Sequence, residues 1–417
     1  MPRLRIYGVI FVCLILLNQY EKFLTSTSRE DSVATVEKED SREKAAFAFV
    51  PTSSNGNPAP YWPVIPIEHY QNLSRTFSPW PNNTWSWCGK SGDYDRKTPA
   101  GLLFVKLQKA ASSTMAGIAL RIAHHVGMIK NGPDSPCASM VKHIRSNVYH
   151  DRDRTRSFMF SSVRDPTQRL LSYIFYISSN RNLSTDDDKI IDMMKYRSSP
   201  GWLSEKVKWD AGYQVGYLHT GPPPDHVLWN SEVPDHVTDL PIIQSRIQDI
   251  LEQYDFLLVV ERLDESLVAL QLLLNLDPTD LLYVSGSKES GGWAATKQKC
   301  HKLIPKFVSP AVKAFLESPE WLARNYGDYL LYHAANQSLD ATIEYLGRHR
   351  FDEALKTYRL LLAQAQTTCQ SEVIFPCSPE GKEQNEESAR SCYAVDWGCG
   401  YPCLDQHFPR EQRALIH

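Results

Sequence analysis

The stretch Leu102-Leu-Phe-Val-Lys-Leu-Gln-Lys109-Ala-Ala-Ser-Ser-Thr114 decides the fold. Leu102 to Val105 is an apolar run of strand length. After it, Met115, Ile118, Ala119, Ile122 and Val126 recur at helical spacing, and Gly127 is placed to end that helix. The segment therefore reads as strand, loop, helix. Lys109, Ala110, Ala111, Ser112, Ser113 and Thr114 fall in the loop and first helical turn. The first N–H groups of a helix have no partner inside it, and the dipole is positive there, so such a junction attracts anions. Lys109 adds a full charge and the three hydroxyls add donors. The spacing is not the Gly-x-x-x-x-Gly-Lys of an ATP-binding loop. An ordinary cap is the alternative, because Ser and Thr are favoured at helix starts without any ligand.

A second junction follows. Ser157 to Val163 is a strand run, then Arg164-Asp-Pro-Thr-Gln-Arg169-Leu-Leu-Ser172 opens a helix. Asp165 is a capping residue, Pro166 suits the first helical position, and Gln168 completes a capping box. Arg164 then ends the strand, and Ser172 lies close to two turns along the helix. An arginine fork at a strand end and a hydroxyl on that helix side suit one phosphate. The alternative is a pair between Arg164 and Asp165 or a neighbouring carboxylate. A third junction, Asp255 to Val260 followed by Glu261-Arg262-Leu263-Asp264, reads chiefly as scaffold, with Asp264 capping the next helix.

Strand runs alternating with helical patterns from Leu102 to about Tyr345 predict an α/β fold with a parallel sheet flanked by helices. Two anion sites at neighbouring strand ends fit such a sheet, where ligands bind beyond the strands' carboxyl ends. The 417 residues carry a net charge of −3, which argues against a dedicated nucleic-acid binder.

Ahead of this region, Arg3 and Arg5 precede an apolar run from Ile6 to Leu17 that extends to Phe23. The flanking charge predicts a cytoplasmic N-terminus. No small-residue cleavage site follows, which favours an uncleaved signal anchor over a cleaved signal peptide. Both send the remaining chain to the lumenal side. Four Asn-x-Ser/Thr triplets, at Asn72, Asn82, Asn182 and Asn336, agree with that address. So do the nine cysteines, since removing Cys13 of the apolar run leaves an even set. Cys369, Cys377, Cys392, Cys399 and Cys403 crowd the C-terminal tail, where disulfides or a zinc site are the two readings. The boundaries are a cytoplasmic tail at 1–5, an anchor at 6–23, a stem and aromatic apron at 24–98, the main domain at 99–350, and a helix with a cysteine-rich tail at 351–417.

The first two junctions together resemble the 5′-phosphosulfate loop and the 3′-phosphate motif of membrane-bound carbohydrate sulfotransferases. The galactose-3-O-sulfotransferase family, which includes galactosylceramide sulfotransferases, is the nearest in pattern. Tyr254 to Val268, Asp328 to Leu339 and His143-Ile-Arg145 support the likeness, which spans roughly Leu102 to Arg359. Leu107 and Gln108 depart from the family's usual residues before the lysine. Arg164-Asp-Pro166 looks more like the uronyl and heparan 2-O-sulfotransferases than the Arg-Asn-Pro of galactose enzymes, so both acceptor classes stay open.

The resemblance implies a P-loop-NTPase-like sulfotransferase fold that uses 3′-phosphoadenylyl sulfate (PAPS) as donor and requires no metal. It implies a glycan acceptor on a glycolipid or glycoprotein, and a single-pass type II protein of the Golgi membrane with its catalytic domain in the lumen. Lys109 to Thr114 would hold the phosphosulfate, and Arg164 with Ser172 the 3′-phosphate. Lys109 and His143 would be catalytic, with His150 the second choice of base. A packed histidine without that role is the alternative at His143. His124 and His125 read as structural. Trp293, after the Gly-rich segment from Ser285, belongs either to a loop over the ligand or to an ordinary surface loop. Two other classes compete: a nucleotide kinase, and a glycan-binding ectodomain without activity.

Overall fold

The computed structural model describes residues 73–80, 101–131, 139–142, 149–181, 186–198, 213–219, 240–284, 293–296, 299–302, 308–318, 321–322, 325–373, 377–384 and 400–410. The anchor at 6–23, His143, the triplets at Asn72, Asn82 and Asn182, the 285–292 segment, and Cys392 and Cys399 lie outside them. Among the described residues no helix is long and apolar enough to cross a membrane.

The fold is α/β. Strands β1 (Gly101–Val105), β2 (Ser139–Lys142), β3 (Ser157–Val163) and β4 (Phe256–Val259) form one parallel sheet in the order β2-β1-β3-β4. β1, β3 and β4 are buried along their whole length, as apolar runs without alternation require. Leu103 pairs with Met159 and Phe104 with Phe160, so equivalent apolar side chains stack across the sheet. β2 was not foreseen. Met140 and Val141 alone are too few to signal a strand, and pairing with β1 supplies its order.

Helix α1 (Ser112–Asn131) follows β1, and α2 (Pro166–Arg181) follows β3. The expected end of α1 at Gly127 is corrected: the helix runs on to Asn131, because one interior glycine costs only about 1 kcal/mol against alanine. Asp165 caps α2 as expected, its Oδ1 accepting from Gln168 N–H at 2.8 Å, with Pro166 first in the helix. After α3 (Asp187–Ser198), the short α4 (Tyr213–Leu218) and α5 (Leu240–Gln253), the chain enters β4. A 3₁₀ turn at Val260–Arg262 then leads into α6 (Leu263–Leu274). Asp264 is therefore not the cap but lies in the first turn, where the helix dipole favours an acid, and its Oδ2 meets Arg359 Nε at 3.2 Å.

A hairpin of β5 (Trp293–Thr296) and β6 (Lys299–Lys302) precedes α7 (Pro310–Leu316). Trp293 thus begins a strand. The long α8 (Tyr326–Leu346) and α9 (Arg348–Cys369) close the main core, to which α9 contributes Phe351, Tyr358, Leu362 and Ala365. A satellite core joins α2, α3 and α7 through Leu171, Ile174, Ile190, Met194, Phe315 and Trp321. The 73–80 segment lies on the main core. Phe77 is buried edge-on against Phe256, and Arg75 Nη1 donates to the carbonyls of Leu251, Glu252 and Tyr254, closing the C-terminal end of α5. The Asn336 triplet sits inside α8. Asn336 Nδ2 donates to Tyr332 O at 3.0 Å and Ser338 is fully buried, so the folded chain does not present it for glycosylation.

Among the described residues there are two disulfides, Cys300–Cys377 and Cys369–Cys403. The zinc reading does not hold for these four sulfurs. Glu372, Cys403 and His407 do gather near one another, but the Cys403 sulfur is already bonded to Cys369. The second disulfide ties α10 (Tyr401–His407) to α9, and α10 also grips α1. Asp405 Oδ1 accepts from Arg121 Nη2 at 2.7 Å, and His125 Nδ1 lies 2.7 Å from Asp280 Oδ1. Burial alone would lower the His125 pKa, but its bonds to Asp280 and Asp405 outweigh that and raise it. His125 is structural, as its place on α1 suggested. The Cys369–Cys403 bond closes 34 residues of chain. Replacing both cysteines by serine should lower stability by about 2–4 kcal/mol, read as a lower denaturation midpoint for the double variant. An unchanged midpoint would mean that the ion pairs alone hold α10.

Candidate anion-binding site at two strand ends

β1 and β3 are neighbours in register, Val105 opposite Ser161, so the chains leaving them emerge side by side at the sheet's carboxyl edge. Two hydroxyls on β3 hold the loop after β1. Ser161 Oγ donates to Val105 O at 2.7 Å and Ser162 Oγ donates to Ala110 O, both serines being fully buried. Tyr217 on α4 reaches Lys106 O at 3.3 Å. The loop carries no glycine, yet Lys109 and Ala111 adopt φ of 63° and 53° while Ala110 between them does not. Left-handed conformations at non-glycine residues are costly and persist where the surroundings enforce them. Alternation of this kind turns successive N–H groups toward one concavity, a geometry that receives anions.

Helix α1 then starts at Ser112, with Met115 N–H bonding to Ala111 O at 3.0 Å. The residue at the cap is thus Ala111, whose side chain cannot accept a bond. Ser112, Ser113 and Thr114 occupy the first turn instead, which removes the ordinary cap as the reason for three successive hydroxyls. Ser113 is exposed, Thr114 half-buried and Ser112 buried. The half-buried Lys109 places Nζ 4.2 Å from the centre of the Tyr176 ring on α2. Ser172 lies one turn before Tyr176, hence on the same side of α2. The loop lysine and the serine of the second junction therefore share one helix face.

Arg164 joins the two junctions directly. Its Nη1 donates to Lys109 O at 3.0 Å. Among the described residues its Nε makes no hydrogen bond, and the nearest carboxylate oxygen is Glu261 Oε1 at 3.6 Å. The neighbouring-carboxylate alternative is thus real in part, but the partner is Glu261 rather than Asp165. Glu261 also accepts from Asp165 N–H at 3.2 Å and interacts with the Tyr332 hydroxyl. Burial first, and then the Glu261 charge, push Tyr332 up to about 12. The third junction, read as scaffold, therefore contributes an acid to the site.

Behind Arg164 stands a buried layer. Gln214 on α4 bonds to the Arg164 main chain, and Asp328 on α8 accepts from Gln214 and Val215 N–H groups. Burial drives the Asp328 carboxyl up to about 6 despite the nearby Arg169 guanidinium, which itself lies 4.1 Å over the Tyr213 ring. Asp165 is also raised by burial, partly offset by its cap bond from Gln168. Because Asp and Asn cap helices equally well, Asp165 in the Arg-Asp-Pro stretch serves the start of α2.

His150 must be withdrawn as a base. It is exposed beside Tyr149, Arg152 and Gln253 near the start of β3, at the opposite edge of the sheet from the Lys109 loop. The arrangement at the carboxyl edge can hold two separate anionic groups, one at the Lys109 loop and one at Arg164. No protein-family model, curated protein or solved structure matches the chain.

Proposed function

We propose that this chain transfers a sulfuryl group from PAPS to a sugar hydroxyl, the 3-hydroxyl of galactose on a glycolipid or glycoprotein glycan being the acceptor that the sequence pattern favours. The observation that carries the reading is the 3.0 Å bond from Arg164 Nη1 to Lys109 O. It brings two anion-binding junctions within the span of one nucleotide. PAPS needs this, because its phosphosulfate and its 3′-phosphate leave the ribose at separate positions. ATP, with its phosphates in one row, needs only one cradle.

On this reading the N–H groups and hydroxyls from Lys109 to Thr114 hold the sulfuryl and 5′-phosphate oxygens, and Arg164 with Ser172 holds the 3′-phosphate. The acceptor oxygen attacks sulfur in line, a new S–O bond forms, and the bond from sulfur to the bridging oxygen breaks. The 3′,5′-bisphosphate leaves, and His143 takes the acceptor proton. Positioning and charge stabilisation do most of the work, as in phosphoryl transfer. The parallel sheet is compatible with the PAPS-dependent sulfotransferase fold. A membrane anchor at 6–23 with the catalytic domain in the Golgi lumen completes the proposal.

The test is label transfer by the full chain from PAPS and, separately, from the γ-phosphate of ATP to galactose-bearing and uronate-bearing acceptors. Transfer from PAPS alone is expected. Arg164→Ala should weaken PAPS binding by about 10- to 100-fold, since a charge-assisted fork is lost. Equal competition by ATP and by adenosine 3′,5′-bisphosphate against the wild type would remove the second junction as a 3′-phosphate site.

A further inference from the structure

Arg164 is held in place by a residue 50 positions further along the chain. Its N–H donates to Gln214 Oε1 at 3.0 Å, and Gln214 Nε2 donates to its carbonyl at 2.7 Å. One primary amide thus gives Arg164 the two bonds that a neighbouring strand would give. It does so one residue past Val163, the last residue of β3 to pair with β4. Here the backbone leaves the sheet, and its polar groups would otherwise lack ladder partners.

Gln214 is fully buried and is braced from the far side. Its N–H donates to Asp328 Oδ1 and Oδ2 at 2.8 and 3.0 Å, and Val215 N–H donates to Oδ1 at 3.0 Å. Asp328 is itself fully buried on α8. The short α4 therefore acts as a strut between α8 and the end of β3. Such a layer is expensive to assemble, because each buried polar group must find a partner. Few side chains could replace this one. Asparagine is a carbon shorter, glutamate cannot donate to the Arg164 carbonyl, and alanine loses both bonds.

We infer that Gln214 is a positioning residue, which fixes the main chain of Arg164 and so aims its guanidinium at the phosphate on the 3′ side of the nucleotide. The inference rests on the sulfotransferase reading of Arg164. The direction of a long side chain starts from its Cα–Cβ bond, so a main chain free to turn at Arg164 spreads the guanidinium over many positions. Fixing it before the ligand arrives removes that cost from binding.

Calorimetry on the full chain in detergent tests it, with adenosine 3′,5′-bisphosphate and adenosine 5′-phosphate as probes. The wild type should prefer the bisphosphate. Gln214→Ala and Gln214→Met should each cut that preference by about tenfold, the scale of one lost hydrogen bond, while changing affinity for the monophosphate by less than about twofold. On an Arg164→Ala background, Gln214→Ala should cost the bisphosphate nothing further, because the aimed group is gone. Gln214→Met keeps the size without a buried charge or either hydrogen bond, so it reports even where Gln214→Ala fails to fold. An unchanged preference, or an equal loss for both nucleotides, overturns the inference and leaves the donor reading standing. A wild type without any preference for the 3′-phosphate overturns the donor reading itself.

Discussion

Lys109→Ala should lower kcat by about 10²- to 10³-fold while weakening binding of the bisphosphate product by less than about tenfold. The split follows from where the charge sits. On the sulfuryl-transfer proposal, the 5′ end of the donor would be shared in the ground state among the first-turn N–H groups of α1, the hydroxyls of Ser112 to Thr114 and the lysine. Losing one of many partners costs binding little. As the bond from sulfur to the bridging oxygen breaks, negative charge collects on one atom, and a single ammonium placed there is worth far more than before. The loop is built to present that residue: Lys109 is forced to a φ of 63° and its Nζ rests on the face of Tyr176. Steady-state kinetics beside calorimetry decide the matter. Equal losses in binding and turnover would make Lys109 a ground-state contact only. Near-normal turnover would reduce the loop to an unusual helix start and leave the sulfuryl-transfer proposal without its main chemical support.

The parts of this site that could be read along the chain were those where a single short segment carries the whole signal. Leu102 to Val105 followed by a helical period announced β1, its loop and α1. Asp165 and Pro166 announced the start of α2 together with the half-buried strand end at Arg164. What stayed hidden depends on contacts between segments far apart in sequence. Gln214 lies 50 positions from Arg164 and 114 from Asp328. Nothing in a glutamine within a six-residue helix marks it as a partner of either. Asp328 reads as an ordinary first-turn acid of α8, and only burial reveals its role. Glu261 was visible as a strand-end residue, but the 3₁₀ turn that swings it toward Arg164 has no periodicity to find. His150 failed for the converse reason. It stood as the second choice of base, yet a residue before a parallel strand and a residue after it stand at opposite edges of the sheet.

With His150 removed, the proton acceptor rests on His143, and His143→Ala should lower kcat by about 10²- to 10⁴-fold with PAPS affinity nearly unchanged. The motive is chemical and positional. An imidazole titrates near neutrality, so it can take a proton from a sugar hydroxyl and release it afterwards. His143 also directly follows β2, which ends at Lys142 as the outer neighbour of β1. On the proposed reaction the acceptor approaches opposite the leaving nucleotide, and β2 lies on the other side of β1 from β3, the strand that leads to Arg164. A base also leaves a signature that a packing residue does not. The acidic limb of the kcat profile against pH should vanish in His143→Ala, while calorimetric binding of the bisphosphate stays flat between the two proteins. Should turnover and its acidic limb both persist, the base lies on another element. His333 would then be the residue to change, because it sits half-buried one turn beyond Tyr329 on α8, with its pKa lowered by burial.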